Sequence, residues 1–147
     1  MIYNFNTELK KGKKGENDFL NTYDCWKSNT DNNVKAVDFI HKQTGDTLEL
    51  KTDYTLYNNI FIEEDSDINI GNKGGIIRAK NEGARFYVIY FIKKNEWRWY
   101  LVDELFDRYN NIKHKYPLKY IKNTTYTGSG YAILINDLLD IEIEPFN

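Results

Sequence analysis

The segment VDFIHKQTGDTLELKTD, residues 37–53, decides the fold because it has the pattern of a β-hairpin. Two apolar-rich runs flank a Thr-Gly turn, which predicts two paired strands. Three charged residues stand inside these runs where Val or Thr is typical, namely Asp38, Glu49 and Lys51. Two carboxylates and an ammonium group at such positions need a chemical reason.

The geometry of the hairpin predicts that these three charges share one face. Side chains alternate along a strand, so Glu49 and Lys51 point to the same side. A two-residue loop at residues 44–45, or a four-residue loop at residues 43–46, places Asp38 opposite Lys51, and opposed residues share a face. A three-residue loop would move Asp38 to the other face, because the register would slip by one residue.

A fourth charged residue, Glu16, lies on the apolar stripe of a predicted helix. It precedes Phe19, Leu20 and Tyr23 by three, four and seven residues, which is helical spacing. A carboxylate on such a stripe is costly unless a divalent cation, a lysine or an ordered water compensates it.

Converging carboxylates and a lysine suit the chemistry of a phosphodiester. Mg²⁺ prefers oxygen ligands and keeps several waters, so two carboxylates suffice to hold it. A neighbouring lysine can orient or deprotonate the attacking water, or stabilise charge that develops on a phosphate. The other interpretation is that Asp38, Glu49 and Lys51 form a solvated strand face with weak cross-strand pairs.

The rest of the chain alternates helical and strand patterns. Hydrophobic periodicity predicts helices over residues 15–27, 75–84 and 103–111, the last capped by Asp103. It predicts strands over residues 34–41, 47–53, 57–63, 85–94 and 97–102, with a polar loop over residues 64–75. Residues 131–135 are predicted as a final strand or a buried segment. This order predicts a mixed α/β core in which an antiparallel meander feeds a buried strand.

Composition predicts one folded domain in a reducing compartment. Of the 147 residues, 41% are hydrophobic and 16% aromatic, which favours a packed core over disorder. The only cysteine, Cys25, has no partner for an internal disulfide. No signal peptide and no run of ~18 apolar residues occurs, so we expect a cytoplasmic protein with no membrane partner.

Charge distribution is more informative than the net charge of −2. The stretch from Arg108 to Lys122 has five basic residues and no acidic ones, interleaved with tyrosines, whereas the C-terminal tail is acidic. Such a stretch fits either a phosphate-contacting surface or a solvated face.

Several residues have a structural interpretation. We expect His41 to face away from Asp38 as a core or surface histidine. Trp97 and Trp99 are expected in the core or at an interface, in preference to a role in base stacking. Glu63 is expected at the end of the third strand, where a solvated position is favoured over a role in supporting the candidate metal ligands. No P-loop, dinucleotide-binding glycine pattern or HExxH motif occurs, which sets those enzyme classes aside.

Asp38, Glu49 and Lys51 resemble the bipartite signature of the PD-(D/E)XK nucleases. The "VD" at residues 37–38 and the "ELK" at residues 49–51 match its two parts, with valine in place of the proline that often precedes the aspartate. The upstream GKKGENDFL resembles the first helix of the family, in which Glu16 matches a glutamate near the metal site. ELKTDYTLYNNIFIEE resembles small phage and bacterial members, and the similarity spans residues 12–110.

The resemblance implies a restriction-endonuclease-like α/β core, with a mixed central sheet, an antiparallel meander and flanking helices. It implies that Mg²⁺ or Mn²⁺ is bound by Asp38, Glu49, Glu16 and the carbonyl of Leu50, while Lys51 positions water or stabilises the phosphate. Contacts to the nucleic-acid backbone are expected from five basic residues, which are Lys13, Lys14, Lys73, Arg78 and Lys80.

The expected activity is metal-dependent cleavage of DNA, either structure-selective or of restriction type, and RNA stays open as a substrate. A domain of this size covers little duplex, which is compatible with a homodimer. The alternative keeps the fold without catalysis, as a nucleic-acid- or protein-binding module such as a phage protein that modulates a host system.

Overall fold

The computed structural model describes residues 2–3, 5–31, 37–123 and 125–147. Within them the α-helices are Phe5–Thr22 (α1), Gly75–Asn81 (α2) and Val102–Ile112 (α3). The strands are Ile2–Tyr3 (β1), Trp26–Ser28 (β2), Phe39–His41 (β3), Thr47–Asp53 (β4), Asn59–Asp67 (β5), Asn72–Lys73 (β6), Phe86–Phe91 (β7), Glu96–Leu101 (β8), Lys119–Asn123 (β9), Thr127–Leu134 (β10) and Glu142–Ile143 (β11). None of these helices has the length and apolar character that spanning a membrane would require.

The strands form two sheets. Sheet I has the order β11-β8-β7-β4-β3-β2, and sheet II has the order β1-β9-β10-β5-β6. In sheet I, β4 and β7 are parallel and the other neighbours are antiparallel. The predicted mixed sheet with flanking helices is therefore confirmed. The predicted third strand, β5, does not continue the meander beside β4, because it pairs with β10 and β6 in sheet II.

Two hydrophobic clusters cover the two faces of sheet I. One contains Phe19 and Tyr23 together with Leu48 and Leu50 of β4. The other, on the opposite face, contains residues of β5, β10, α2 and α3. All six residues of β7 are buried, as expected for a strand that is covered on both faces.

The register of the β3–β4 hairpin differs from the prediction by two residues. Phe39 pairs with Leu48, and the N–H of His41 donates to the carbonyl of Asp46 at 2.7 Å. The loop therefore covers residues 42–45, with Gly45 in the left-handed region at φ 75°. Residues 34–36 of the predicted strand lie outside the described residues.

Several predicted boundaries are wrong for identifiable reasons. Trp26 belongs to β2 and not to the first helix, because it pairs with His41 in sheet I. β5 extends into the predicted polar loop as far as Asp67, since the ladder with β10 uses backbone groups regardless of side-chain polarity. Asp103 lies in the first turn of α3, where Leu101 is the capping residue.

Candidate active site

Asp38 is held against β4 by its backbone and by its side chain. Its N–H donates to the carbonyl of Leu48 at 2.8 Å, and its Oδ2 accepts from the N–H of Leu50 at 2.7 Å. The N–H of Asn29 donates to the Asp38 carbonyl at 2.8 Å. The carboxylate thus lies along β4 just beyond β3, next to Glu49 and not opposite Lys51 as the predicted register required.

Glu49 is a buried carboxylate with one uncompensated oxygen. Its side chain is only 7% exposed, and its Oε1 lies 3.1 Å from the Lys51 ammonium. Among the described residues, its Oε2 is buried without a hydrogen-bond partner. A buried anionic oxygen without a partner is costly, so it points to a partner supplied from outside the chain.

The negative charges of Asp38 and Glu49 repel each other. Burial, and then the Glu49 carboxylate, raise the pKa of Asp38 to about 8. The hydrogen bond from Leu50 and the Lys51 ammonium act in the opposite direction, and Glu16 adds a smaller increase. A bound cation would relieve the repulsion between the two carboxylates.

Lys51 supplies the positive charge at the site. Its side chain is 47% exposed, and its ammonium pairs with the Glu49 carboxylate. The Glu49 carboxylate raises the pKa of Lys51 above its ordinary value, and Tyr87, Glu63 and Asp38 add to this effect. Lys51 is therefore charged at neutral pH.

Tyr87 belongs to the site although its sequence context gives no sign of it. It is the register partner of Glu49 across the parallel β4–β7 pair. It is 1% exposed, and burial raises the pKa of its hydroxyl, so the phenol stays neutral beside the carboxylates. The apolar run around it is typical of a core strand, and a long-range parallel register cannot be deduced from such a run.

Glu63 lies inside β5 and not at a solvated strand end, so that prediction is wrong. Burial raises the pKa of its carboxylate, whereas the charges of Lys51 and Arg78 lower it. Glu49 raises it further, which places Glu63 within electrostatic range of the candidate site. The polar residues after Glu63 suggested a loop, which is why the solvated strand end was favoured over a position near the site.

The structure does not bring Glu16 into the pair of carboxylates. Its half-buried carboxylate lies 3.7 Å from Lys13 on α1. Gly15 packs so closely on Thr52 that an added Cβ would lie 1.8 Å from the Thr52 Oγ1, which fixes α1 beside β4. Glu16 therefore acts on Asp38 through its charge and at the margin of the site.

Asp38 and Glu49 are the two neighbouring carboxylates that could hold a hard divalent cation. In the described part of the chain, no three histidine, cysteine, aspartate or glutamate side chains form a group that could hold a metal ion. Mg²⁺ retains several waters and needs few protein ligands. The unpartnered Glu49 oxygen and the mutual repulsion of the pair are the features that such an ion would compensate.

Four of the five predicted nucleic-acid contacts are engaged in ion pairs with nearby carboxylates. They are Lys13 with Glu16 (3.7 Å), Lys14 with Asp18 (3.4 Å), Lys73 with Asp65 (2.9 Å) and Lys80 with Asp103 (2.6 Å). Arg78 forms no ion pair or side-chain hydrogen bond with the residues that the structure describes. The charge of Arg78 lowers the pKa of Glu63, which relates this arginine to the buried carboxylates of the candidate site.

His41, Trp97 and Trp99 pack against other aromatic side chains and take no part in the candidate site. His41 is 3% exposed and its ring lies 5.1 Å from that of Trp26, as expected for a core histidine. Trp99 is buried and Trp97 stacks on Tyr90, which also confirms the prediction for the tryptophans.

A scan against protein-family models gave no match, and a search of curated proteins gave none either.

Proposed function

We propose that this protein is a metal-dependent nuclease that hydrolyses phosphodiester bonds in DNA. The observation that carries the proposal is the buried Glu49 carboxylate. Among the described residues, one of its oxygens has no partner, while the other binds Lys51. A carboxylate in this state, next to Asp38 with its raised pKa, is arranged for a cation.

Asp38 and Glu49 would hold Mg²⁺ or Mn²⁺, with Leu50 offering a carbonyl and Glu16 adding negative charge at the margin. Such an ion supplies Lewis acidity toward a phosphoryl oxygen and activates water. Lys51 places a positive charge where the phosphate gains negative charge in the transition state. Arg78 is suited to bind a phosphate oxygen through its planar guanidinium.

The burial of the site makes these charges effective. Tyr87 and the cluster around it cover the face of β4 that carries Glu49. An electrostatic interaction in such surroundings is stronger than one in water. About half of the Lys51 side chain is exposed, so this lysine lies at the boundary between the buried site and solvent.

One assay tests the proposal. Linear, circular and four-way-junction DNA and a matched RNA are incubated with the protein and Mg²⁺, Mn²⁺ or EDTA. We expect cleavage that EDTA abolishes and that falls by about 10²–10³-fold in Lys51→Ala and Glu49→Gln, as for loss of other transition-state contacts. Exposed Lys93→Ala and Glu144→Gln are matched controls that keep full activity.

The non-catalytic alternative also has an observation in its favour. The described residues provide two close carboxylates and no third metal-ligating side chain. If the wild type binds DNA but cuts none of the substrates, the protein is a binding module. Cleavage that Lys51→Ala and Glu49→Gln leave intact would place the reaction elsewhere in the chain.

A further inference from the structure

Tyr120 is a large aromatic residue that the fold leaves in solvent. It lies in β9, and 60% of its surface is exposed. Its side chain makes no hydrogen bond and no ring contact with the residues that the structure describes. A single exposed tyrosine is ordinary on a protein surface, so its meaning depends on the groups around it.

Lysines without carboxylate partners flank Tyr120 on its own strand. Lys119 and Lys122 are exposed, and neither forms an ion pair within the described part of the chain. Side chains alternate along a strand, so Lys122 points to the same face as Tyr120, ~7 Å further along β9. The sequence from Arg108 to Lys122 contains no acidic residue, so this segment contributes only positive charge beside the ring.

The carboxylate in the same row of sheet II is compensated by another lysine. Tyr120 is the register partner of Ser129, which is in turn the partner of Asp65. The Asp65 Oδ1 lies 2.9 Å from the Lys73 ammonium, and its Oδ2 accepts from the Ser129 hydroxyl at 3.5 Å. Because Lys73 compensates its charge, Asp65 leaves the lysines of β9 available to an anion.

The strand that carries Tyr120 is held in place by its neighbours. β9 pairs with β1 on one side and with β10 on the other. Just before the strand, the Tyr116 hydroxyl donates to the Asp137 carboxylate and accepts from the N–H of Leu134 at 3.3 Å. A fixed backbone thus presents the exposed ring, which limits the entropy that is lost when a planar ligand stacks on it.

We propose that β9 binds single-stranded DNA, with one base stacked on the Tyr120 ring and an adjoining phosphate bound by Lys122. Lys119 adds positive potential at the start of the strand. Stacking on an aromatic ring needs a base with a free face, whereas the bases of a duplex are stacked on each other. The phosphate backbone is the anion that matches lysines without carboxylate partners. The choice of DNA over RNA rests on the proposed function, whereas the preference for a single strand does not.

Fluorescence anisotropy in EDTA tests this binding without any turnover. The probes are labelled oligothymidylate of about 12 nucleotides, oligouridylate of the same length and a duplex of the same length. We expect the wild type to bind oligothymidylate at least about fivefold more tightly than the duplex. Tyr120→Ala should weaken single-strand binding by roughly 5- to 100-fold and leave duplex binding within about twofold, because only the stacked base is lost.

Salt dependence separates the ring from the charge. Tyr120→Ala should leave the slope of log K against log salt unchanged, since a stacked base releases no counterions. Lys122→Gln should reduce that slope by about 0.7, the value for one phosphate contact to a single strand.

Further variants control for folding and exposure. Tyr120→Phe keeps the aromatic ring and should bind as the wild type does. Tyr120→Leu removes the ring but not the bulk, and it should weaken single-strand binding even where Tyr120→Ala fails to fold. Tyr57→Ala is the matched control, because Tyr57 is 65% exposed and the neighbouring Lys94 lies 3.8 Å from Glu96. It should bind every probe as the wild type does.

The outcomes separate this proposal from the nuclease. Equal affinity for duplex and single strand, or a Tyr120→Ala protein that binds as the wild type does, overturns the proposal. Binding of oligouridylate alone overturns the choice of DNA and counts against a DNA nuclease. Sedimentation velocity that shows a dimer dissociated by Tyr120→Ala, with no single-strand binding, would overturn the proposal and make β9 an interface between copies. Binding that depends on Tyr120 without any cleavage supports the proposal and counts against the nuclease alone.

Discussion

At the scale of single residues, Asp38 has the charge that the folded chain accommodates least well. Its carboxylate is bonded to β4 through Leu50, yet it stands beside a second buried carboxylate. Natural proteins keep such arrangements mainly where a ligand or a reaction uses them. The destabilisation of the folded state by the Asp38 charge can be measured, because it depends on pH.

We predict that Asp38→Asn stabilises the metal-free protein at pH 8 and flattens its pH dependence. The pKa of Asp38 is raised from 3.8 to about 8, so the folded state holds a proton that the unfolded state has lost between these values. The stability that this proton contributes is full below about pH 4 and is lost as the pH rises toward 8. The gain from Asp38→Asn should be on the order of 2 kcal/mol at pH 8 and near zero at pH 4.

Urea unfolding at pH 4, 6 and 8 in EDTA measures this effect. Mn²⁺ at pH 8 should raise the stability of the wild type more than that of Asp38→Asn. A variant that is equally stabilised at all three pH values would show that the charge of Asp38 is not the cause.

Sequence periodicity could find Asp38, Glu49 and Lys51 because a hairpin is a local structure. Strand parity relates Glu49 to Lys51 without any knowledge of the tertiary fold. Tyr87 and Glu63 could not be found in this way. Their positions depend on the β4–β7 and β5–β10 pairings, which join distant parts of the chain.

At the scale of elements, α1 and β4 are fitted to each other at one glycine. Gly15 is buried against Thr52, whereas an added Cβ on Gly12 would meet nothing within 4 Å. Both glycines lie within α1, where glycine is unfavourable for helix formation. The two glycines lower the helix propensity of this segment, which is also why the predicted start of α1 at residue 15 is too late.

The two glycines therefore predict opposite effects of the same substitution. Gly15→Ala should lower the free energy of unfolding by about 1–3 kcal/mol, since Thr52 is short and its strand must shift. Gly12→Ala should raise it by up to about 1 kcal/mol, because only the helix propensity changes. Thermal and urea unfolding of the two variants beside the wild type compare them directly. Equal effects would contradict the close packing at Gly15.

The assignment of strands to sheets was the part of the fold that sequence could not supply. β5 has the pattern of a strand that follows a hairpin, and adjacent strands along a chain usually pair. It instead pairs with β10, from the last part of the chain. No local feature of β5 distinguishes these two partners.

At the scale of the whole molecule, the structure divides the basic stretch between Arg108 and Lys122 into two parts. Arg108 makes two hydrogen bonds to the Asp140 carboxylate, at 2.7 and 2.6 Å, and Lys113 lies 3.2 Å from Glu64. The acidic tail thus neutralises part of the stretch. Lys115, Lys119 and Lys122 are exposed and have no ion pair among the described residues.

We predict that the unpaired lysines contribute more to DNA binding than the paired ones. A Lys115→Gln, Lys119→Gln, Lys122→Gln triple variant should weaken binding and reduce the salt slope of log K by about 2–3, one unit for each lost phosphate contact. The control is Lys13→Gln, Lys14→Gln, Lys80→Gln, whose lysines already face carboxylates. Fluorescence anisotropy in EDTA at several salt concentrations measures both, and equal slopes would refute the distinction.

The pairing of Glu49 with Tyr87 has a consequence for the order of folding. The contact of Asp38 with β4 closes a short loop, whereas the parallel β4–β7 pair closes a long one that includes β5, β6 and α2. Closure of a long loop costs more chain entropy, and long-range strand pairing is a slow step in folding. Asp38 and Glu49 can therefore come together early, while the hairpin is still solvated. The apolar residues that remove water from the two carboxylates are added only when β7 docks. The step that desolvates the two carboxylates is thus also the step that buries the six residues of β7.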